Sequence, residues 1–430
     1  MSMSPAEYGY DVSRMDPRRA SRIAPDRPAK RARNPWIGRI VRGGLGIVSG
    51  LALLIGLGIL VFLVFIPMGV GTSLVAFTSA LVPVGIVFLA VWWIDRYTPQ
   101  PRASLVYAFA WGAVASVLLT LWLGPLFLAA ITPEKATEPT VQFLGAAIQA
   151  PIIEESMKSL GLLLLLVRGR RFIGGPIDGV VYAALMAGGF AFTENILYFG
   201  NSFHEAQAAG EAALFWQTFL LRGVLSPFAH VSFTSLCGLG LGIAAERRSL
   251  MLYVGLGAAG LAAGMLLHGL WNGSTFFITV DPKDPLRGFL TYYATVQVPI
   301  FLLLAGIVLF LRLRERRIVR RQLSDYGRAG WFSPAEVDLL VKLGKRRKAE
   351  KWAGRHGAVA RMAMHDLIRS AISLAMERHV ALHGKPTARS RRLERDTLER
   401  ITADRRLIGA LTRPVTLPAR RVDPAQPQTV

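Results

Sequence analysis

Three ionisable residues crowd one otherwise apolar run, Glu154, Glu155 and Lys158 in QAPIIEESMKSLGLLLLLV, and three later apolar runs each carry a polar pair. These pairs are Glu194 with Asn195 in GGFAFTENILYF, His230 with Thr234 in SPFAHVSFTSL, and His268 with Asn272 in LLHGLWNGS. Carboxylates and imidazoles together are groups that activate water against a carbonyl carbon. Two histidines and a carboxylate, here His230, His268 and Glu194, suit Zn²⁺ and leave a position open for water, while a buried glutamate supplies a general base. A metal-free route, in which glutamate and histidine alone polarise the water, uses the same residues, and the sequence leaves both routes open.

Spacing suggests how the work is divided. Lys158 lies i+4 from Glu154 and i+3 from Glu155, within reach of either on one helix face. Adjacent helical residues point about 100° apart, so only one of the two carboxylates is expected at a small site. Glu154 is the expected base, and Glu155 the carboxylate that Lys158 neutralises and holds. Asn272, one turn beyond His268, is placed to donate to an oxyanion. Thr234 stands in the same relation to His230.

Apolar helices must carry these side chains. The chain has 430 residues, 52% of them hydrophobic and 18% charged, a balance too apolar for a soluble globule of this size. Runs of roughly 20 apolar residues, enough to cross a bilayer, occur near 43–67, 70–94, 104–131, 141–167, 177–200, 222–245, 251–277 and 291–311. The expectation is an all-α, polytopic transmembrane bundle of about eight spans. Counting 1.5 Å per residue from the external end of each span puts Glu154 roughly 20 Å deep, Glu194 about 9 Å, His230 about 12 Å and His268 about 14 Å. Four spans can therefore bring them together inside the bilayer. An ionisable group near the bilayer centre costs about 2.5–3.5 kcal/mol on insertion scales, so each is a functional candidate.

The net charge of +22 is confined to the ends: residues 1–42 carry +6, 43–311 carry zero and 312–430 carry +16. That is the pattern of cytoplasmic segments flanking a membrane domain. Arg96 and Arg102, Arg168, Arg170 and Arg171, and Arg247 and Arg248 fall in alternate connections, while TPEKATEPT and NSFHEAQAAGEA between them hold no arginine. Both termini are thus expected in the cytoplasm. Arg222, at the external start of the sixth span, departs from the alternation. With no finger, RRM or KH signature in the tails, no nucleic-acid partner is expected. The run RLRERRIVRR is expected instead on anionic lipid headgroups.

The domain reading is a basic, disordered N-terminal tail over 1–42, an eight-helix membrane domain over 43–311, and a basic tail over 312–430. That tail is expected to be helical to about 383–410 and then disordered. Ser333-Pro334-Ala335-Glu336 marks a helix start, and two or three amphipathic helices are expected by 383. The first 42 residues show no cleavable signal pattern, so the first span is expected to remain as an anchor. A single cysteine, Cys237, excludes a disulfide framework or a cysteine-based zinc site. Asp178 and Glu246, at cytoplasmic span ends, are expected to be solvated. Ala183, Ala187 and Gly188 in the fifth span allow close helix packing.

In order and placement, Glu154-Glu155-x-x-Lys158, Phe190-x-x-x-Glu194-Asn195, His230 and His268-x-x-x-Asn272 resemble the four motifs of the PrsW family of intramembrane proteases. That family is related to the CAAX-processing and bacteriocin-immunity proteases, whose second motif is FxxxH; here the slot holds Glu194, as in PrsW. The resemblance extends over roughly 70 to 280 and leaves the basic tail outside the catalytic pattern. It implies a multi-pass enzyme of the bacterial cytoplasmic membrane that cleaves single-span membrane proteins near their extracytoplasmic face. The best-known role in the family, the first cut of an anti-sigma factor, makes such a factor a candidate substrate.

Other readings compete. Glu154, Glu155 and Lys158 can form a structural ion-pair knot, but two acids against one base leave charge over that a purely structural knot does not need. A lone histidine packs helices more often than it catalyses, and Asn195 and Thr234 can serve interhelical hydrogen bonds alone. A proton- or ion-coupled transporter also uses intramembrane glutamate and histidine chains, and would place broken helices at corresponding points of two halves. A non-catalytic membrane scaffold is the third reading.

Overall fold

The computed structural model describes residues 35–168, 172–277, 285–383 and 388–412, and every element among them is helical. The first helix begins at Pro35, inside the segment expected as an N-terminal tail; the rest of that segment lies outside the described residues. Among the described residues, seven helices are long and apolar enough to cross a membrane: α1 Gly46–Met68, α2 Val70–Asp95, α3 Arg102–Ile131, α5 Pro176–Ala209, α6 Ala212–Arg247, α7 Leu250–Phe276 and α8 Leu290–Arg328. Between α3 and α5 stands α4, helical over 138–168. It was expected as an eighth apolar span, and it falls outside the seven because Glu154, Glu155, Lys158, Gln142 and Gln149 lower its apolarity.

Helix α5 forms the centre. It packs against α2, α3 and α6, while α7 packs on α6 and α4. Of its apolar stretch 78% is buried, against 6% for α8, which leaves α8 at the periphery. Ala183, Ala187 and Gly188 are buried within α5, as expected of small packing residues. The approach to α6 is closest at Gly179, where an added Cβ would lie 1.9 Å from the Gly238 carbonyl oxygen. Gly264 likewise lets α7 approach α6, with the Phe233 carbonyl 2.6 Å from where its Cβ would be. Bare backbone at these points lets helices meet without a hydrophobic driving force.

Two helices are irregular next to the polar residues. In α4 a π turn, Leu144–Gln149, precedes Pro151, whose missing N–H frees a carbonyl one turn earlier. The Asn272 side chain from α7 donates to the Ala146 carbonyl at 3.0 Å and serves that irregularity. Helix α6 is interrupted at Ser226–Phe228, around Pro227, between a π turn at Phe219–Leu225 and a regular helix from Ala229 to Arg247. From α8, the Tyr293 hydroxyl donates to the Leu225 carbonyl at the break, at 2.8 Å. Helix α3 is latched to α4 by Trp111 Nε1 and Ser116 Oγ, which both donate to the Met157 carbonyl, at 3.0 and 3.3 Å.

The acids expected to be solvated at span ends are instead enclosed. Glu246 is buried and takes two bonds of 2.7 Å from the Arg314 guanidinium. Asp178 accepts from Gln100 Nε2 at 2.6 Å and from the Gly174 amide at 2.9 Å. Partners from other elements replace the water each would otherwise need.

The described residues fall into two compact units, one holding the membrane helices to Ile318 with the segment from His379, the other holding Val319–Arg378 and the last helix. Beyond α8 come α9 Pro334–Val341, α10 Leu343–Gly354, α11 Ala358–His383 and α12 Ala388–Thr412. The second unit surrounds Leu323, Leu340, Ala349, Met364 and Ile401, all buried. Ser333 begins α9 with a reciprocal cap, its hydroxyl accepting from the Glu336 amide at 3.2 Å and its amide donating to the Glu336 carboxylate at 2.8 Å. Glu336 also pairs with Arg405 at 2.8 Å, both side chains being buried. The run RLRERRIVRR continues α8 without a break, and the expected disordered end beyond α12 lies outside the described residues.

Candidate active site

On α4, Lys158 joins both glutamates: its ammonium donates to Glu155 Oε1 at 2.9 Å and to Glu154 Oε2 at 3.1 Å. The expectation that adjacent carboxylates must face apart is corrected here. Their Cα–Cβ bonds diverge, but Lys158 lies one turn on, between the i+3 and i+4 directions, and the flexible side chains converge on it. Lys158 is 0% exposed, Glu155 1% and Glu154 6%. Below the ammonium lies the Phe190 ring, its centroid 3.9 Å away.

The ammonium also meets His230 Nδ1 at 3.1 Å. An ammonium can only donate, so Nδ1 accepts and the ring proton sits on Nε2. From there it is donated to Glu194 Oε2 on α5, at 2.8 Å. His268 Nδ1 lies 3.1 Å from Glu155 Oε1, and since a carboxylate only accepts, this nitrogen carries the proton. The His268 ring stacks on Phe233 at 4.7 Å between centroids. Thr234 Oγ1 donates to Glu155 Oε2 at 2.7 Å. Glu155 is thus held by Lys158, His268 and Thr234, while Glu154 has Lys158 as its hydrogen-bond donor and is the more accessible of the two.

Glu154, Glu155, His230 and His268 each offer a ligand atom, and these atoms lie within 4.8 Å of one another. Two carboxylates and two imidazoles are a zinc-type donor set. Tetrahedral bonds of about 2.0–2.1 Å would set donors about 3.4 Å apart, so a modest contraction of the cluster would seat an ion. Charge points the same way: three carboxylates, Glu154, Glu155 and Glu194, meet two fixed cations, Lys158 and Arg222, an excess of one acid among apolar helices. Such an excess is costly without a further cation or proton. The residues therefore fit a divalent metal.

Of the three ligands expected from the sequence, His230 and His268 lie in this group. Glu194 does not: it approaches His230 from the opposite ring nitrogen, and Glu154 and Glu155 stand where a carboxylate ligand would be. Asn272 is one turn from His268 with its amide directed to Ala146, and Asn195 accepts from Arg222 Nε at 3.1 Å. Arg222, read from the sequence only as an exception to the charge alternation, proves to be part of the cluster. It donates to Glu194 Oε2 at 2.5 Å and stacks on Tyr198, 3.7 Å from the ring centroid.

Residues 100–304, which carry every one of these side chains, match the family described as PrsW family intramembrane metalloprotease. Over these residues, just under half of the chain, the sequence is similar to the PrsW family. Among PrsW proteins, Protease PrsW of Clostridioides difficile (strain 630) is 30% identical over 166 residues, or 38% of this chain and 63% of that protein. The match thus spans less than two thirds of that relative, and α9 to α12 lie beyond the matched residues. No solved structure matches the chain.

Proposed function

We propose that the chain is an intramembrane metalloprotease that hydrolyses peptide bonds of single-span membrane proteins near their extracytoplasmic ends. The observation that carries this reading is the convergence of Glu154, Glu155, His230 and His268, from three helices, on one small volume enclosed by apolar segments. A proton relay needs a chain of titratable groups across the membrane; a closed cluster of metal-type donors suits hydrolysis better.

The roles follow from the hydrogen bonds. His230 and His268, with one or both glutamates, would hold the ion. Zinc bound there would supply a Lewis acid and make water nucleophilic near neutral pH. Glu154, the less committed carboxylate, takes the proton from the attacking water and passes it to the leaving nitrogen. Glu155, tied by three donors, keeps the cluster in register. The second N–H of the Asn272 amide, beside the one given to Ala146, is the oxyanion donor. The metal-free alternative would use Lys158 as the sole cation beside the same base.

We further propose a bacterial cytoplasmic membrane with both termini inside, anionic headgroups as partners of the basic tails, and regulated proteolysis, with an anti-sigma factor as one candidate substrate. The test compares membrane proteomes of cells carrying the wild-type chain and the Glu154→Gln variant. Single-span proteins that persist only in the variant are the candidates, and purified wild-type chain in detergent should cleave them while the variant does so at least about 100-fold more slowly. Equal cleavage by both would remove Glu154 as the base.

A further inference from the structure

Arg222 lies in the π turn of α6, eight positions before His230 on the same span, and reaches across to α5. Its guanidinium makes three separate contacts there: Nη2 with Glu194 Oε2 at 2.5 Å, Nε with Asn195 Oδ1 at 3.1 Å, and its face on Tyr198. One carboxylate oxygen, Glu194 Oε2, is therefore shared by Arg222 and the Nε2 proton of His230. A cation at this depth on the side where positive charge is scarce is unfavourable unless it has a specific partner. It has one, and that partner touches the cluster.

We propose that Arg222 is a positioning residue: acting through Glu194, it fixes the tautomer and ring orientation of His230, so that Nδ1 keeps its lone pair on the side of Lys158 and the donor group of Glu154, Glu155 and His268. With Arg222 in place the Glu194 carboxylate is held where its Oε2 meets the imidazole, and the ring answers that acceptor by keeping its proton on Nε2. Without Arg222 the carboxylate is free to swing away from Nε2, and the ring loses the reason to hold one tautomer. Carboxylate–imidazole pairs of this kind orient metal-binding histidines, and losing the outer partner weakens metal affinity about 10- to 100-fold. Neighbouring Asn195 has a place in the same account, since it holds the guanidinium at its Nε edge and so aims Nη2 at Glu194.

The inference rests on the metal-cradle reading, and its test separates the two. Zinc affinity of the full chain in detergent is measured by competition with a chromophoric chelator for wild type, Arg222→Gln, Arg222→Lys, Glu194→Gln and the Arg222→Gln/Glu194→Gln pair. Arg222→Gln should weaken zinc binding about 10- to 100-fold, Arg222→Lys should recover part of the loss, and the double variant should bind no worse than Glu194→Gln alone, because both changes break one path. Losses that multiply in the double variant, or an Arg222→Gln chain that binds zinc like wild type, overturn the proposal. In parallel, nitrogen-15 spectra of histidine-labelled chain in chelator, with the His230 signals assigned by a His230→Gln control, should show a protonated Nε2 and a bare Nδ1 in wild type. Arg222→Gln should show a mixture of tautomers. A wild type that binds no zinc would sink the metal reading, and these spectra would then decide the role of Arg222 alone, with an unchanged His230 tautomer in Arg222→Gln counting against it.

Discussion

Lys158 is the residue on which the cluster closes. Its ammonium, fully buried, touches Glu154, Glu155 and His230 at 2.9 to 3.1 Å, three of the four residues that would hold an ion. In the metal-free chain it must hold two carboxylates that would otherwise repel each other. Removing one partner from a buried ionic group costs about 3–5 kcal/mol. We predict that Lys158→Met melts well below wild type in the presence of chelator and regains most of the difference when zinc is added, because the ion then replaces the lost cation. The measurement is a pair of thermal melts in detergent, with and without metal. Identical melts of variant and wild type in chelator would show that Lys158 does not organise the donors. Thr234 and Phe190 belong to the same small system, one holding Glu155 by its hydroxyl and the other lying under the ammonium.

Helices α5 and α6 carry Glu194 and His230, so the distance between those groups depends on how closely the two helices meet. The contact at Gly179 and Gly238 is backbone on backbone, and an alanine at 179 would drive a methyl to 1.9 Å from a carbonyl. Overpacking of this kind costs about 1–3 kcal/mol. We predict that Gly179→Ala lowers the melting temperature and weakens zinc binding by parting α5 from α6, whereas Gly255→Ala, which meets nothing within 4 Å, leaves both unchanged. If Gly179→Ala behaved like Gly255→Ala, the contact would not govern the site. How much of this was legible follows from where each signal resides. Charges inside apolar runs are local, so Glu154, Lys158, Glu194, His230 and His268 stood out, as did the Ser333 cap with Glu336 three residues on. The convergence of Glu154 with Glu155 was not legible, because helical geometry fixes the backbone direction and a long lysine undoes it. Nor was the role of Arg222, whose partner lies 28 positions away on another helix. Asn272 could be seen as one turn from His268, but its bond to Ala146 exists because Pro151 disturbs a different helix. The very charges that marked α4 as functional also made it the one expected span too polar to count among the apolar helices.

At the scale of the molecule the dominant fact is the charge distribution, +16 over 312–430 against zero across 43–311. Helix α8 joins the two regimes, running from an apolar stretch into a basic one without a break as far as Arg328. Its basic part divides its arginines. Arg312 and Arg314 are engaged with Glu315 and Glu246, while Arg316, Arg317, Arg320 and Arg321 are exposed. Structural pairing thus accounts for the first two and leaves the other four available to a negatively charged surface, and the helix that bears them emerges from a membrane-length segment. Each basic residue close to an anionic leaflet contributes about 1 kcal/mol, and the effect decays within a Debye length of about 10 Å at 0.1 M salt. We predict that the chain in nanodiscs of anionic phosphatidylglycerol melts at a higher temperature than in nanodiscs of zwitterionic phosphatidylcholine. The gap should narrow as salt is raised to about 1 M, where the Debye length is roughly 3 Å. A variant with glutamine at 316, 317, 320 and 321 should lose most of the gap at low salt while melting like wild type in phosphatidylcholine, since none of the four positions is buried. A gap that ignored both salt and the four substitutions would mean that the basic part of α8 does not engage headgroups, and that the charge of the tail serves a partner other than lipid.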